Sequence, residues 1–597
     1  MEYIWFLAAA VLFLYIWYRQ NEARRRRLFT ERLKERWGQV PDQEYGEEDL
    51  RRIRRYFERF RGGEYVLDDI TWNDLDMDEV FMLLNHTNSS AGEEALYRLL
   101  RTPCTDLSVL LKRDRLAAVL AENPPLRLEL EKQLAAIGKN SRQALCDYIA
   151  NLSGQPCRSN GFHYIGLAAL AAAAASIAIW PDTGILALGG MIGFQMIVYY
   201  QQKAQVESYF SCVSQVVRMA VHGRAIAALK DSEALSEYLT PLRASVKELE
   251  PFCAKSRFIS AGKAMGGSPF DLIMDYVKML LHTDLIAYNQ IVRMTKDKET
   301  AIWRVTEILG QLECGLAIAS LRSCLGQWCR PQLTAGEPPY LHGEGLYHPL
   351  VDRAVPNTIY ARRNQLITGS NASGKSTFLK TVALSAVLAQ TTYTAPGVSY
   401  RAPLYQIYTS MALRDSLQNG ESYYIAEIRS LKRILDRGRD RLPVLCMIDE
   451  VLRGTNTVER IAASAQILRS MADMNLLCFA ATHDAELAQL LEPWYENGHF
   501  SEEIAGGDVL FSYRLKPGRT KSRNALLLLE LMGYEETVLR QAQEMAEHFG
   551  QTGVWSMDVK ERAHGRASTE IHRDGDYSSR GRRELNAPEP EPAKGRR

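Results

Sequence analysis

Two long apolar runs stand out from the alternating hydrophobic and polar positions of the chain. The first, Tyr3–Tyr18, is unbroken and rich in aromatic residues, and it is followed by Arg19 and arginines at 24–27. As a helix it would be about 24 Å long, close to the thickness of a hydrocarbon core. Because the positive charges follow the run, it differs from a cleaved signal peptide. It predicts a transmembrane anchor over residues 1–20, with the following chain in the cytoplasm. A buried soluble helix is the alternative.

The second apolar run, Phe162–Tyr200, is interrupted by Pro181–Gly184 and flanked by Arg158 and Lys203. This pattern predicts a transmembrane helical hairpin over residues 161–202 whose flanks lie on the cytoplasmic side. The alanine-rich first half is only weakly hydrophobic, so a buried soluble hairpin is the competing interpretation. The anchor and the two helices of the hairpin together give three crossings of the membrane. We therefore expect a multi-pass protein of the cell membrane.

Outside these runs, the spacing of apolar residues is mostly helical. Residues 21–64 are dense in Arg and Glu and predict a charged juxtamembrane helix that is mostly solvated. Apolar residues at spacings of three and four predict packed helices over residues 65–160 and 203–327. Residues 550–597 are rich in Gly, Arg, Glu, Pro and Ser, and this composition predicts a disordered tail.

Composition and charge narrow the class of protein. The chain has 597 residues, of which 46% are hydrophobic, so it can bury a substantial core. Its 72 basic and 71 acidic residues give a net charge of +1, so no overall basic field indicates nucleic-acid binding by itself. The ten cysteines form no C-x-x-C pair. They fit buried thiols in a reducing cytosol and argue against disulfides or a zinc site.

The clearest chemical signal is the segment LITGSNASGKSTFLK at Leu366–Lys380. Gly369, Gly374, Lys375 and Ser376 have the spacing of a phosphate loop. The segment lies between a predicted apolar strand and a predicted apolar helix. Glycines let backbone N–H groups point at phosphate oxygens, while Lys375 can reach the β- and γ-phosphates and Ser376 can hold Mg²⁺. The predicted nucleotide-binding residues are Gly369, Ser370, Asn371, Ala372, Ser373, Gly374, Lys375, Ser376 and Thr377.

Two carboxylates end another apolar run. Leu442–Glu450 has the pattern of a buried parallel strand, and an α/β sheet places its site at the carboxyl ends of such strands. Asp449 would hold Mg²⁺ opposite Ser376, and Glu450 would activate the attacking water as a general base. The competing interpretation is a strand that ends in two surface carboxylates.

Four further segments resemble motifs of the MutS family, the mismatch-repair ATPases of the ABC type. Residues 419–428 resemble the signature G-x-S-x-(F/Y)-x-x-E-(M/I), and residues 453–457 resemble R-G-T-(S/N)-T. Residues 481–483 match A-T-H, and residues 511–518 resemble F-x-Y-x-L-x-x-G. The chain departs from the family pattern at residues 521–526, where MutS proteins usually continue with S-Y-G.

This resemblance implies an α/β ABC-type P-loop ATPase domain over residues 328–549. Lys375 and Glu450 would be catalytic, together with His483 as a switch that senses the γ-phosphate. Ser422 would act in trans, donating to the γ-phosphate held by the other subunit of a homodimer. The implied cofactors are ATP and Mg²⁺, with Ser376 and Asp449 as metal ligands.

The helical regions carry a second resemblance to MutS. Leu75–Leu120 resembles the start of the family's helical core, including the L-L-(D/N)-H-T element at Leu83–Thr87. It implies an all-α lever domain formed by residues 65–160 and 203–327, with the apolar hairpin inserted between them. No G-F-(Y/F)-x-E element of a mismatch reader occurs. We therefore expect a membrane-anchored family member without the mismatch-recognition domain.

These features predict a membrane-anchored MutS-like ATPase whose nucleotide cycle drives the lever helices. The expected target is double-stranded DNA, branched or recombining rather than mismatched. The alternative is a structural or signalling membrane ATPase that acts on an unknown protein partner without binding DNA. An ABC transporter is disfavoured, because the crossings are few and the signature is not L-S-G-G-Q.

Overall fold

The computed structural model of the chain describes residues 2–140, 143–154, 159–230, 232–251, 276–370, 373–411, 423–452, 456–505, 508–519, 526, 529–530 and 532–557. The chain divides into two compact units, one of Met1–Glu503 with Leu510–Lys521 and the other of Ile504–Val509 with Ser522–Arg597. Several predicted features lie outside the described residues, namely Asn371, Ala372, Ser422, residues 453–455 and most of 521–526 and the tail.

The first half of the larger unit is helical. Its helices are α1 (Glu2–Arg36), α2 (Glu47–Arg59), α3 (Asp69–Asp74), α4 (Met77–Leu84), α5 (Ser90–Arg101), α6 (Leu107–Glu122), α7 (Pro124–Ile137), α8 (Leu145–Gly154), α9 (Gly161–Ser176), α10 (Pro181–Ala227), α11 (Glu233–Glu248) and α12 (Thr283–Cys324).

The charged region 21–64 differs from the expected single solvated helix. Helix α1 continues through it to Arg36 and ends before Gly38, whose φ of +69° suits a residue without a side chain. Helix α2 then packs against α5 and buries Ile53 and Phe57. Residues 47–59 therefore belong to the packed core of the protein and are not a solvated connector.

The predicted apolar hairpin is present as α9 and the first part of α10, which pack together. Its turn lies at residues 177–180, four residues before the expected Pro181–Gly184, because Pro181 occupies the first turn of α10, where a missing N–H costs nothing. Among the described residues, one helical segment, Pro181–Ala204, is long and apolar enough to cross a membrane, while α9 is apolar but shorter.

Helix α12 links distant parts of the helical core. Its 42 residues span about 63 Å at 1.5 Å per residue. At its start, His282 contacts the hairpin, with Nδ1 3.0 Å from His163 Nδ1 and Nε2 3.0 Å from the Gln195 carbonyl oxygen. Near its end, Arg322 pairs with Asp114 at 2.7 Å and donates to Thr394 Oγ1 at 2.9 Å. One helix therefore contacts both the hairpin and the α/β region.

The second half of the larger unit is α/β. Its strands are β1 (Trp328–Cys329), β2 (Gln332–Thr334), β3 (Leu341–Leu346), β4 (Asn357–Ala361), β5 (Asn364–Thr368), β6 (Ala395–Pro396), β7 (Ser399–Pro403), β8 (Gln406–Ser410), β9 (Val444–Asp449), β10 (Leu476–Thr482), β11 (Tyr495–Ala505) and β12 (Asp508–Pro517). The helices between them are α13 (Lys375–Thr391), α14 (Tyr423–Arg437), α15 (Thr457–Met471) and α16 (Ala485–Leu490).

The main sheet has six strands in the order β12-β11-β5-β10-β9-β8. Alternate residues of its central strands face two separate cores, as the pleat requires. Leu445 and Phe479 pack in the core that contains α13, whereas Val444 and Cys478 pack in the core on the opposite face. A second sheet, in the order β2-β7-β3-β4, adjoins the first core. The predicted combination of an α/β domain with an all-α region is confirmed.

The smaller unit contains helix α17 (Glu536–Thr552). Its C-terminal end is closed by Gly553 at a φ of +70° and by the stacking of Phe549 on Trp555, with ring centroids 4.2 Å apart. A glycine at a left-handed C-cap is a common way to terminate a helix.

Candidate functional site

Strand register brings the predicted site residues together. Thr368 of β5 lies opposite Thr482 of β10, and Ala481 of β10 lies opposite Asp449 of β9, with all pairs parallel. The carboxyl ends of parallel strands share one edge of a sheet. The phosphate loop, the two carboxylates and His483 therefore follow neighbouring strand ends.

The phosphate loop has the backbone that its glycines predict. Gly369 and Gly374 have φ values of +145° and +99°, a region that residues with side chains rarely occupy. A Cβ at Gly369 would lie 2.9 Å from the carbonyl oxygen of Phe500, so the loop also has no room for a side chain there. Helix α13 begins directly after Gly374, and its N-terminus faces the loop.

Lys375 is almost completely buried under this loop. Its Nζ donates to the Gly369 carbonyl oxygen and, at 2.8 Å, to that of Ser370. Ser373 Oγ also donates to the Ser370 carbonyl oxygen, at 2.7 Å. The ammonium group is therefore held at the centre of the loop, where phosphate oxygens would take the place of carbonyl oxygens.

Ser376 and Asp449 are in direct contact, as the sequence predicts for a pair that shares a cation. The Ser376 hydroxyl donates to Asp449 Oδ2 at 2.5 Å, and both side chains are largely shielded from solvent. Hydroxyl and carboxylate oxygens are the ligands that Mg²⁺ prefers.

Glu450 is held in an uncommon backbone conformation. Its φ is +60°, as is that of Leu452, and its N–H donates to the Ala481 carbonyl oxygen at 2.9 Å. The Leu452 N–H donates to Glu427 Oε1 at 2.5 Å, so a carboxylate on α14 stabilises the segment after Glu450. Residues outside the favoured regions persist where surrounding contacts determine them, often at functional sites. Sequence reasoning noted Glu427 as a motif position but missed this contact.

His483 lies beside Glu450 at the open side of the site. Its Nδ1 is 3.4 Å from Glu450 Oε1, and its side chain is 49% exposed, whereas that of Glu450 is 8% exposed. Its Nε2 is 3.6 Å from Asp484, whose carboxylate also pairs with Arg460 at 2.8 Å. The imidazole can therefore contact both the buried carboxylate and a ligand that approaches from solvent.

A cleft next to the phosphate loop was not predicted from the sequence. It has a volume of about 380 Å³ and is lined by the first turns of α13 and by the loop before β4. Asn357 closes it by donating to the Tyr513 carbonyl oxygen at 2.9 Å and accepting from the Leu515 N–H at 2.8 Å. These contacts join residues more than 150 positions apart, so no local pattern could reveal them.

The residues of the loop and cleft fit a bound nucleotide. Ser370 Oγ in the loop and His348 Nε2 in the cleft wall are buried and have no hydrogen-bond partner within the described part of the chain. Buried polar atoms are normally paired, so both atoms are available to a ligand. The loop suits phosphates, the Ser376–Asp449 pair suits Mg²⁺, and the cleft has space for a base and a ribose.

The α/β part of the chain is similar to a known protein domain. Residues 365–550 match the family model described as MutS domain V. This part of the chain is therefore similar to MutS domain V. The match includes the phosphate loop, both carboxylates and His483, so the residues that meet at the strand ends all lie within the matched span.

Full-length relatives support the relationship over a limited span. The chain is 30% identical over 258 residues to the DNA mismatch repair protein MutS of Thermus thermophilus, covering 42% of this chain and 31% of the relative. It is 28% identical over 271 residues to MutS of Thermus aquaticus, covering 44% and 32%. It is 26% identical over 297 residues to the DNA mismatch repair protein MSH3 of Saccharomyces cerevisiae, covering 47% and 29%. The chain thus spans about a third of the length of these relatives, and the similarity supports kinship with the MutS family.

The buried histidine of the cleft gives a pH-dependent prediction. Burial, reinforced by Lys380, lowers the pKa of His348 to about 4. An unfolded imidazole has a pKa near 6.5. The unfolded chain therefore binds more protons between these values, and the contribution of His348 to stability is lost as pH falls from 6.5 towards 4.

We expect the unfolding free energy of the wild type to fall more steeply over this range than that of His348→Gln. The difference should reach about 3 kcal/mol, from the size of the pKa shift. Chemical denaturation at a series of pH values measures it. Parallel pH profiles for the two proteins would contradict a buried, neutral imidazole.

Proposed function

We propose that this chain is a membrane-anchored ATPase of the MutS type that hydrolyses MgATP and acts on DNA. The observation that carries the proposal is the meeting of Lys375, Ser376, Asp449, Glu450 and His483 at the carboxyl ends of three adjacent strands. This arrangement brings together the groups that one subunit contributes to in-line attack of water on a γ-phosphate.

Each residue has a distinct role in this reaction. Lys375 exchanges its loop carbonyl partners for the β- and γ-phosphate oxygens and stabilises the negative charge that develops on them. Ser376 and Asp449 hold Mg²⁺, which when bound neutralises phosphate charge. Glu450 accepts a proton from the attacking water, and its fixed backbone keeps the carboxylate aimed at the phosphate. His483 lies next to that carboxylate and contacts the γ-phosphate, so it senses whether this phosphate is bound.

We propose that the complete site forms in a homodimer. The side chain of His483 is 49% exposed, which leaves space beside it for a second subunit. The resemblance of residues 419–428 to the MutS signature assigns that contribution to Ser422 of the partner subunit. The similarity to the DNA mismatch repair proteins MutS and MSH3 supports DNA as the target.

The membrane part of the proposal rests on the hairpin. Several large apolar side chains of α9 and α10 face solvent, among them Ile165 at 71% exposure and Leu186 at 82% exposure. Exposed apolar surface of this extent marks a membrane or partner contact. Together with the apolar length of Pro181–Ala204, it favours insertion in a bilayer with the ATPase domain in the cytoplasm.

The catalytic proposal predicts a separation of binding from turnover. Glu450→Gln should retain MgATP binding but lose turnover by about a hundredfold or more, because the amide cannot accept the proton. Lys375→Ala should lose both. Titration calorimetry and phosphate release measure the two properties. A Glu450→Gln protein with wild-type turnover would contradict the role of Glu450. The matched control is Asp440→Asn, a carboxylate-to-amide change on the amino-terminal side of β9.

The DNA proposal predicts nucleotide-dependent, salt-sensitive binding. Full-length protein in nanodiscs would be titrated with homoduplex, mismatched and four-way-junction DNA, with and without ATP at two salt concentrations, beside Lys375→Ala. We expect the four-way junction to bind most tightly with ATP, and affinity to fall as salt rises. Intact ATPase activity without DNA binding would instead support action on a protein partner. Protein that elutes apart from the nanodiscs would contradict membrane insertion.

A further inference from the structure

The four-stranded sheet carries an aromatic and basic row that the ATPase site does not use. Its inner face packs into the core through Leu341, Ile359 and Tyr400. Its outer face aligns residues of neighbouring strands, because Arg401 of β7 lies opposite His342 of β3, which lies opposite Tyr360 of β4. Side chains that are directly opposite on one face of a sheet are neighbours in space.

Three aromatic rings in and beside this row form a continuous surface. The ring centroids of Tyr340 and His342 are 5.2 Å apart, and those of His342 and Tyr360 are 5.6 Å apart. Tyr360 is 56% exposed, so its ring can be covered by a ligand. Its hydroxyl donates to Glu344, which fixes the orientation of the ring.

Two arginines flank the rings and complete an open cleft of about 520 Å³. The cleft is lined by Tyr340, His342, Arg362 and Arg401, with Glu337 and two prolines at its rim. Within the described ranges, neither guanidinium forms a direct ion pair or hydrogen bond, although Arg401 is close enough to lower the pKa of the Glu344 carboxyl. Burial and the charges of both arginines lower the pKa of His342, which favours the uncharged ring.

We propose that this outer sheet face binds single-stranded nucleic acid. Flat, partly exposed rings on a sheet stack with unpaired bases, and arginines at the edge pair with the phosphates between them. A duplex hides the faces of its bases and cannot stack in this way. The cleft is large enough for one or two nucleotides. The nearby carboxylates are Glu344, which accepts from the Tyr360 hydroxyl, and Glu337, which lines the cleft.

This site is separate from the proposed ATPase reaction, since none of its residues belongs to the phosphate loop or to the carboxyl ends of β9 and β10. It also differs from action on duplex or branched DNA. A protein with two such capacities could hold an unpaired strand near a double-stranded region.

The test is fluorescence anisotropy with a short labelled oligothymidylate and the full-length protein in nanodiscs, without ATP. Tyr360→Ala should raise Kd about tenfold, whereas Tyr360→Phe, which keeps the ring, should bind like the wild type. Arg401→Ala and Arg362→Ala should each reduce the slope of log Kd against log salt by about 0.7. Arg439→Ala, an exposed arginine outside this sheet, is the matched control and should change neither quantity.

The outcomes separate this proposal from the ATPase proposal. Binding that persists in Lys375→Ala supports an independent single-strand site, whether or not the ATPase reaction is correct. Wild-type Kd in Tyr360→Ala and Arg401→Ala would overturn the proposal. Duplex DNA or thymidine monophosphate that competes for the protein as well as unlabelled oligothymidylate would also overturn it. So would an acidic proline-rich peptide that displaces the labelled strand more effectively than unlabelled oligothymidylate.

Discussion

The parallel pairing of β5, β10 and β9 is the constraint on which the rest of the site depends. Each strand is fully buried, so a shift of one residue would turn every side chain to the opposite core. This register therefore fixes the ends of the strands relative to one another. Because the ends are fixed, the Ser376–Asp449 contact and the Glu450–His483 proximity follow without long or flexible connections.

The same sheet is connected to the apolar hairpin by a continuous helix. Helix α12 contacts the hairpin through His282 and the segment after α13 through Arg322. Helix α13 in turn begins at Lys375 in the phosphate loop. A displacement of α13 on nucleotide binding would therefore act directly on α12. This arrangement gives the proposed nucleotide cycle a physical route to the apolar hairpin.

The parts of the site that were predicted from sequence are those coded by short, contiguous patterns. The phosphate loop, the strand that ends at Asp449 and Glu450, and the strand before His483 each combine an apolar run with the functional residue that follows it. The Glu427–Leu452 contact and the cleft closed by Asn357 were not predicted, because they join distant segments. The burial of α2 could have been found, since Leu50, Ile53 and Phe57 have helical spacing within its charged sequence.

The most direct test of the central claim, a composite ATP site shared by two subunits, is complementation between inactive variants. Lys375→Ala and Ser422→Ala proteins would be purified separately, mixed to allow subunit exchange, and assayed for phosphate release. The account predicts that each variant alone is inactive and that activity returns on mixing, because the mixed dimer contains one site with intact Lys375 and a partner's intact Ser422. No recovery despite demonstrated subunit exchange would contradict a site completed in trans.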